Sequence, residues 1–162
     1  MAIKVTVKSK MEKKTDKAMD MYEQKASIHL NNVANMFKNY ASKAMRASTG
    51  GRVYVVTKSG KTHTASIKGN PPAKNTGDLI RSLYVEQATP KKLVAELITE
   101  QDYAGYLEDK QGLDRPFMSR RSAPYKETQK YAKKKYKDIS IGDLKITWAS
   151  IHLICKQYCI PL

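Results

Sequence analysis

The stretch that decides the fold is Tyr22–Ala44, with the sequence YEQKASIHLNNVANMFKNYASKA. It lies within residues 11–47, a segment that contains neither proline nor glycine. Apolar side chains recur along it at steps of three and four residues, which places them on one side of a helix. We therefore predict a long amphipathic N-terminal helix, ended by the glycines of Ser48–Gly51. Its predicted buried stripe consists of Tyr22, Ala26, Leu30, Val33, Phe37, Tyr40 and Ala44.

Two pairs of strands are predicted after this helix. Residues 52–57 are β-branched and aromatic, and residues 62–68 alternate beyond a turn at Ser59–Gly60, which is typical of an antiparallel hairpin. Residues 83–88 and 93–99 form a second pair, whose alternation predicts one buried and one exposed face.

A second helix is predicted near the end of the domain. Apolar residues recur at helical steps through residues 117–139, and lysines cover the other sides. The helix either starts near Ala123 with Pro124 in its first turn, or starts near Pro116 and kinks; we favour a helix over 124–138. The predicted fold is α+β, with the long N-terminal helix and this basic C-terminal helix packed on one face of a four-stranded antiparallel sheet.

The length of 162 residues indicates one domain, which we place at residues 1–139. Residues 140–162 form an apolar C-terminal extension. It is either a docking element for a neighbouring copy or partner, or an added strand of its own domain. No apolar run approaches the ~18 residues that a membrane span needs, so we expect a soluble protein made in the cytoplasm, without a membrane partner. Only two cysteines occur, which excludes a disulfide framework.

The net charge of +15 is unevenly distributed along the chain. Residues 101–114 carry a net −3, between +8 for residues 1–60 and +7 for residues 115–138. An acidic loop between basic helices favours head-to-tail association, in which the loop of one copy meets the basic helix of the next. The alternative is that the lysines only solvate helix faces.

The segment Asn70–Ser82 predicts a stiff arm followed by a short helix. Pro71 and Pro72 hold the backbone extended. Thr76 is placed to cap a helix that has Asp78 in its first turn, where the helix dipole favours an acidic side chain.

Three motifs in this part of the chain occur in a fixed order. They are Pro-Pro-x3-Thr-Gly-x-Leu-x2-Ser from Pro71, Tyr-Ala-x-Tyr-x-Glu from Tyr103, and Arg-Pro-Phe from Arg115. The pattern resembles the head-tail joining or tail-completion proteins of long-tailed bacteriophages, and the resemblance extends over roughly residues 18–139. The chain departs from that family at Asp109–Gly112, where the family has an aromatic-Gly-Thr loop, so the contacts of that loop are not carried over.

The resemblance implies a non-enzymatic structural protein of the virion neck, made in the host cytoplasm. Such proteins form a ring, six copies in this family, that joins or completes the tail. The implied partners are further copies, the connector or stopper, and the tail tube or tail terminator, with non-specific contact with passing DNA. The predicted interface residues are Pro71, Pro72, Thr76, Gly77, Leu79, Tyr103, Glu108, Asp109, Arg115, Phe117, Arg120 and Arg121.

Other chemistry is less well supported by the sequence. His152, Cys155 and Cys159 have helical spacing, but a structural zinc site normally has four ligands, so we predict no metal and no cofactor. No nucleophile, base and acid come together in the sequence, and we predict no catalytic residue.

Nucleic-acid binding is the alternative function. The Lys/Tyr-rich segment Lys130–Lys137 of the C-terminal helix meets the electrostatic criterion, and tyrosines can stack on exposed bases. Tyr125 and Tyr136, however, fall on the apolar stripe of that helix, where burial in the core explains them as well.

Overall fold

The computed structural model describes residues 10–56, 60–136, 145–147 and 150–154. Its elements in chain order are α1 (Lys10–Ala47), β1 (Gly50–Val56), β2 (Lys61–Ser66), α2 (Asp78–Arg81), β3 (Tyr84–Glu86), β4 (Val94–Ile98), α3 (Ala104–Glu108), α4 (Ala123–Lys135), β5 (Lys145–Thr147) and β6 (Ser150–Ile154). The α+β class and the long N-terminal helix are confirmed.

The buried side of α1 follows the predicted stripe in the middle of the helix and departs from it at both ends. Leu30, Val33 and Phe37 are at most 1% exposed, whereas Tyr22 is 40% exposed. Towards the C-terminus, Ala41 and Met45 are buried and the predicted Tyr40 and Ala44 are only half-buried. Ala41 and Met45 follow Phe37 at steps of four residues and pack under the neighbouring segments. In this part of α1 each buried residue therefore lies one position after the predicted one.

The predicted four-stranded sheet of β1–β4 is wrong. β1 and β2 form a two-stranded antiparallel sheet of their own, and β3 and β4 form a separate antiparallel pair. Residues 67–77 separate the two pairs, and the two prolines among them have no N–H to donate to a ladder. The backbone of β6 pairs with the other edge of β4, and β5 pairs with β6.

The hairpin β1–β2 stands outside the hydrophobic core. The core is one cluster, and it is formed by α1, α2, β4, α3, α4 and the segments between them. No residue of β1 or β2 belongs to that cluster, although Ala65 is 3% exposed. Gly51 permits the start of the hairpin, because a Cβ there would lie 2.5 Å from the carbonyl oxygen of Ser66.

Helix α4 begins at Ala123, with Pro124 in its first turn. The hydroxyl of the buried Ser122 caps it by accepting a hydrogen bond from the N–H of Tyr125 at 3.3 Å. The helix packs mainly against α1 rather than on the strands, which corrects the predicted arrangement. The rings of Phe37 and Tyr125 meet edge-on at 6.1 Å, and the Tyr136 hydroxyl accepts from the Asn32 amide at 3.2 Å.

The predicted extension at 140–162 lies largely outside the described residues, which include only the backbone of β5 and β6 there. The division of the chain at 139/140 therefore stays a prediction. Cys155 and Cys159 also lie outside the described residues. Within the described part, no helix has the length and apolar character needed to span a membrane.

One side chain fixes α1 to the turn between β3 and β4. The Asn31 amide donates to the carbonyl of Ala88 at 3.0 Å, and its oxygen accepts from the N–H of Ala88 at 2.7 Å. We expect Asn31→Ala to lower the free energy of unfolding by about 1–3 kcal/mol, because both backbone groups of Ala88 lose their partner. Urea denaturation measures this loss.

Asn35 provides the matched control, since it is exposed on the same helix and its amide donates only to the carbonyl of Asn31. Asn35→Ala should change the free energy of unfolding by less than about 0.5 kcal/mol. Equal effects of the two substitutions would show that the link to Ala88 does not stabilise the fold.

Candidate assembly surface

The arm predicted from Pro71 and Pro72 lies against the end of α1. Both prolines are buried. The hydroxyl of Ser48 donates to the carbonyl of Pro71 at 2.5 Å, and the N–H of Lys74 donates to the carbonyl of Met45 at 3.0 Å. The arm thereby satisfies a carbonyl group that the end of a helix leaves without an intrahelical partner. The structure places the two prolyl rings inside this chain, where they support α1, rather than on a surface open to a neighbour.

Helix α2 begins differently from the prediction. Its N-cap is Gly77, with a φ of 92° in the left-handed region, and not Thr76. The exposed Thr76 hydroxyl instead donates to the Asp78 carboxylate, which also accepts from the guanidinium of Arg81. These hydrogen bonds, first that of Thr76 and then that of Arg81, lower the pKa of Asp78. Gly77 is buried, and Leu79 belongs to the core.

Glu108 joins the second motif to the third. Its carboxylate oxygen Oε1 accepts from three successive backbone N–H groups, those of Phe117, Met118 and Ser119, at 2.7, 2.5 and 3.3 Å. Phe117 is fully buried beneath this contact. The Tyr-Ala-x-Tyr-x-Glu and Arg-Pro-Phe motifs therefore form one local unit, which the hydrogen bonds of Glu108 hold together.

Arg121 completes that unit. Its guanidinium donates to the Asp114 carboxylate and to the carbonyl of Glu108. The hydrogen bond and charge of Arg121 lower the pKa of Asp114, in spite of partial burial. Two of the four acidic side chains in residues 101–114 are thus bound within the chain, to the basic segment that was predicted to receive them from another copy.

The residues directly before the first motif also contact this unit. The N–H of Gly69 donates to the carbonyl of Asp114 at 2.6 Å, at the base of the arm. Burial raises the pKa of the Tyr103 phenol, and the charge of Asp78 raises it further. The second and third motifs therefore form one unit, and the chain just before the first motif is hydrogen-bonded to the loop between them.

The loop that departs from the phage family, Asp109–Gly112, is fixed by local hydrogen bonds. The Asp109 carboxylate accepts from the N–H of Gln111 at 3.0 Å, and its carbonyl accepts from the N–H of Asp114 at 2.9 Å. Glycine is required at position 112, because a Cβ there would lie 2.4 Å from the carbonyl oxygen of Tyr106.

The predicted interface residues divide into two groups. Seven are buried or half-buried, as is Arg115, whose backbone N–H donates to the carbonyl of Leu107 at 2.7 Å. The seven are Pro71, Pro72, Gly77, Leu79, Glu108, Phe117 and Arg121. The four whose side chains are exposed are Thr76, Tyr103, Asp109 and Arg120.

Sequence reasoning did not single out the exposed apolar side chains of strand β1. Val53, Tyr54 and Val55 are 57%, 48% and 64% exposed. Because consecutive strand residues point to opposite faces, both faces of the hairpin carry exposed apolar side chains. The signal in the sequence was the uninterrupted Val53–Val56 run, which lacks the polar alternation of a strand that covers a core on one face only.

The basic helix α4 offers less to nucleic acid than its sequence indicates. Tyr125 and Tyr136 are 5% and 9% exposed, so neither ring is free to stack on a base. Lys135 lies 5.6 Å from the centre of the Tyr131 ring. Among the described residues, no three His, Cys, Asp or Glu side chains are grouped to hold a metal ion.

The three N–H groups held by Glu108 provide a graded test of the loop. We expect Glu108→Ala to lower the free energy of unfolding by about 1.5–3 kcal/mol, since it removes a charged acceptor from buried donors. Glu108→Gln should cost about half as much, because a neutral oxygen still accepts, although more weakly. Glu127→Ala on the exposed side of α4 is the control. If both substitutions at position 108 lowered the free energy of unfolding no more than the control does, the contact would not stabilise the loop.

The Asp114–Arg121 pair predicts a dependence of stability on acid. The pKa of Asp114 is lower in the folded chain than its ordinary 3.8, so the unfolded chain takes up the proton first. The pair therefore stabilises the fold fully above the unfolded pKa, and this contribution is lost as the pH falls from about 5 to about 3.

Asp114→Asn should make the fall in urea midpoint over that range shallower than in the parent chain. Asp102→Asn, on the exposed part of the same loop, serves as the control. An unchanged acid dependence in Asp114→Asn would mean that the pair does not contribute to it.

Comparisons with models of protein families, with curated proteins and with solved structures find no match to this chain.

Proposed function

We propose that this chain is a structural protein of a bacteriophage virion, located at the neck, where copies form a ring that joins or completes the tail. The proposal includes six copies per ring and no catalytic activity. The assignment to the neck is supported by the three sequence motifs, which resemble those of phage neck proteins. Self-assembly is supported by the exposed apolar side chains of the hairpin β1–β2.

The hairpin has the properties of an interface that awaits a partner. A two-stranded hairpin is marginally stable in water, and contiguous exposed apolar groups mark protein contacts in soluble proteins. Here Val53, Tyr54 and Val55 are about half exposed or more, and they lie outside the core cluster. In the described part of the chain, each strand of this sheet also has one edge without a partner strand. Burial against another copy would cover both features.

The exposed part of the acidic loop is complementary in charge to the hairpin. Asp102, Asp109 and Lys110 are exposed there, and the rings of Tyr103 and Tyr106 are 47% and 59% exposed. The hairpin carries basic side chains, such as Arg52 and Lys61, beside its apolar ones. An acidic and aromatic surface of one copy can therefore pair with a basic and apolar surface of the next.

The two surfaces are different parts of the chain, so the contact between copies is heterologous. A heterologous contact makes a ring if its rotation closes. Because Glu108 and Asp114 are already bound within the chain, the proposed contact depends less on charge than the sequence alone indicates. It depends more on the apolar side chains of β1.

The self-assembly is tested by measuring mass in solution. We expect the parent chain to form a ring-sized oligomer in mass photometry, and Tyr54→Ser with Val55→Thr to shift it to the monomer. The substituted residues are exposed, so the circular dichroism spectrum should stay unchanged.

Ile28→Thr is the matched control, because Ile28 is 57% exposed on α1, away from the hairpin. The control should retain the oligomer. A parent chain that is monomeric at all concentrations, or a hairpin variant with the mass of the parent, would contradict the proposal.

Location is tested separately. Gold-labelled antibodies against the chain should mark the head-tail junction of purified phage particles, as seen in electron micrographs. Labelling of the tail tip or of the capsid shell alone would overturn the assignment to the neck.

A further inference from the structure

A groove runs between the C-terminal turns of α1 and the short helix α2. Its volume is about 790 Å³. Four basic side chains line it, Lys38, Lys43 and Arg46 from α1 and Arg81 from α2. Asn39 and Ser42 supply neutral polar groups between them. We call this the α1–α2 groove.

The cations of the groove are largely uncompensated. Arg81 is bonded to the Asp78 carboxylate beside the groove, yet its side chain remains 68% exposed. Among the described residues, Lys38, Lys43 and Arg46 form no ion pair, and no Asp or Glu lines the groove. Uncompensated charge of one sign in a concave surface concentrates counter-ions of the other sign.

The charge of the groove continues into the sequence around it. Residues 24–77 contain nine Lys and Arg and not one Asp or Glu, although the density of 15 acidic residues in 162 predicts roughly five. This segment supplies the second half of α1, the hairpin and the arm. A surface kept soluble by charge mixes both signs. A stretch of this length with one sign only is typical of a surface that binds a polyanion.

The spacing of the α1 groups fits a repeating anion. Lys38, Ser42 and Arg46 follow each other at steps of four along one side of the helix, so eight residues separate the outer two. With a rise of 1.5 Å per residue, this row is about 12 Å long. One strand of duplex DNA carries a phosphate on every nucleotide, so a row of this length can contact more than one phosphate of the strand.

We propose that the α1–α2 groove binds the phosphodiester backbone of DNA, without reading its sequence. Lys38, Lys43, Arg46 and Arg81 neutralise phosphates, and the Asn39 amide and Ser42 hydroxyl donate to phosphate oxygens. The groove offers four cations and no carboxylate, which suits the regularly repeated charge of a phosphodiester backbone. The inference goes beyond the proposed assembly function and does not rest on it.

The test is fluorescence anisotropy of a labelled DNA duplex with the full chain, from about 50 to about 200 mM salt. We expect the parent chain to bind more weakly as salt rises. In Lys43→Gln with Arg46→Gln, two phosphate contacts are lost, so the slope of log K against log salt should become shallower by about 1.8. The affinity at the lowest salt should fall by about tenfold or more.

The matched control is Lys133→Gln with Lys134→Gln, which removes the same charge from the exposed end of α4. It should leave most of the slope and affinity of the parent chain. Circular dichroism checks that both variants are folded, and Lys38→Gln, at the other end of the row, provides an independent groove variant.

Three results would overturn the proposal. The first is no binding of DNA by the parent chain at the lowest salt. The second is equal loss in the groove and control variants, which would reflect net charge alone. The third is loss of binding to polyglutamate or to phosphatidylglycerol vesicles by the groove variants while their binding to DNA is unchanged. Failure of ring formation would leave this measurement unaffected, so the two proposals fail separately.

Discussion

The buried side of α1 is the feature on which the rest of the structure depends. Leu30, Val33 and Phe37 lie at its centre, and the other elements of the core meet there. Two neighbouring segments are also fixed to it by specific polar contacts, Asn31 to Ala88 for the β3–β4 turn and Met45 to Lys74 for the arm. The apolar stripe gives the other core residues a surface to pack against, and the polar contacts set the position of these two segments along it.

Some acidic side chains of the chain are bound internally, and others are exposed. Glu108 and Asp114 form hydrogen bonds with residues 115–121. The Glu108 carboxylate accepts from successive backbone N–H groups, and Arg121 donates to the Asp114 carboxylate and to the carbonyl of Glu108. Hydrogen bonds to charged groups are stronger than neutral ones, so this unit is a stiff platform rather than a free acidic loop. The exposed surface of this unit carries the aromatic rings of Tyr103 and Tyr106 and is only modestly acidic.

Two surfaces of the described residues carry the proposed contacts. Both faces of the hairpin carry exposed apolar side chains of β1, and four basic side chains line the α1–α2 groove. Both adjoin the C-terminal end of α1, because β1 starts three residues after Ala47. In the proposed ring, every copy would repeat this pair of surfaces at the same radius. Contacts between copies and contacts with a passing DNA duplex could then be made by different sides of one helix end.

The sequence by itself determined the long helix α1, the pairing of β1 with β2 and of β3 with β4, and the start of α4 near Ala123. These depend on periodicity, turn residues and caps, which act over a few neighbouring positions. It did not determine that the strands form separate sheets, that α4 packs on α1, or that Pro71, Pro72 and Phe117 face inwards. It also did not show that Glu108 binds residues nine to eleven positions away, or that Arg81 lies across a groove from Arg46. Those features were decided by tertiary structure, because they depend on which of several apolar and charged surfaces meet when the chain closes on α1.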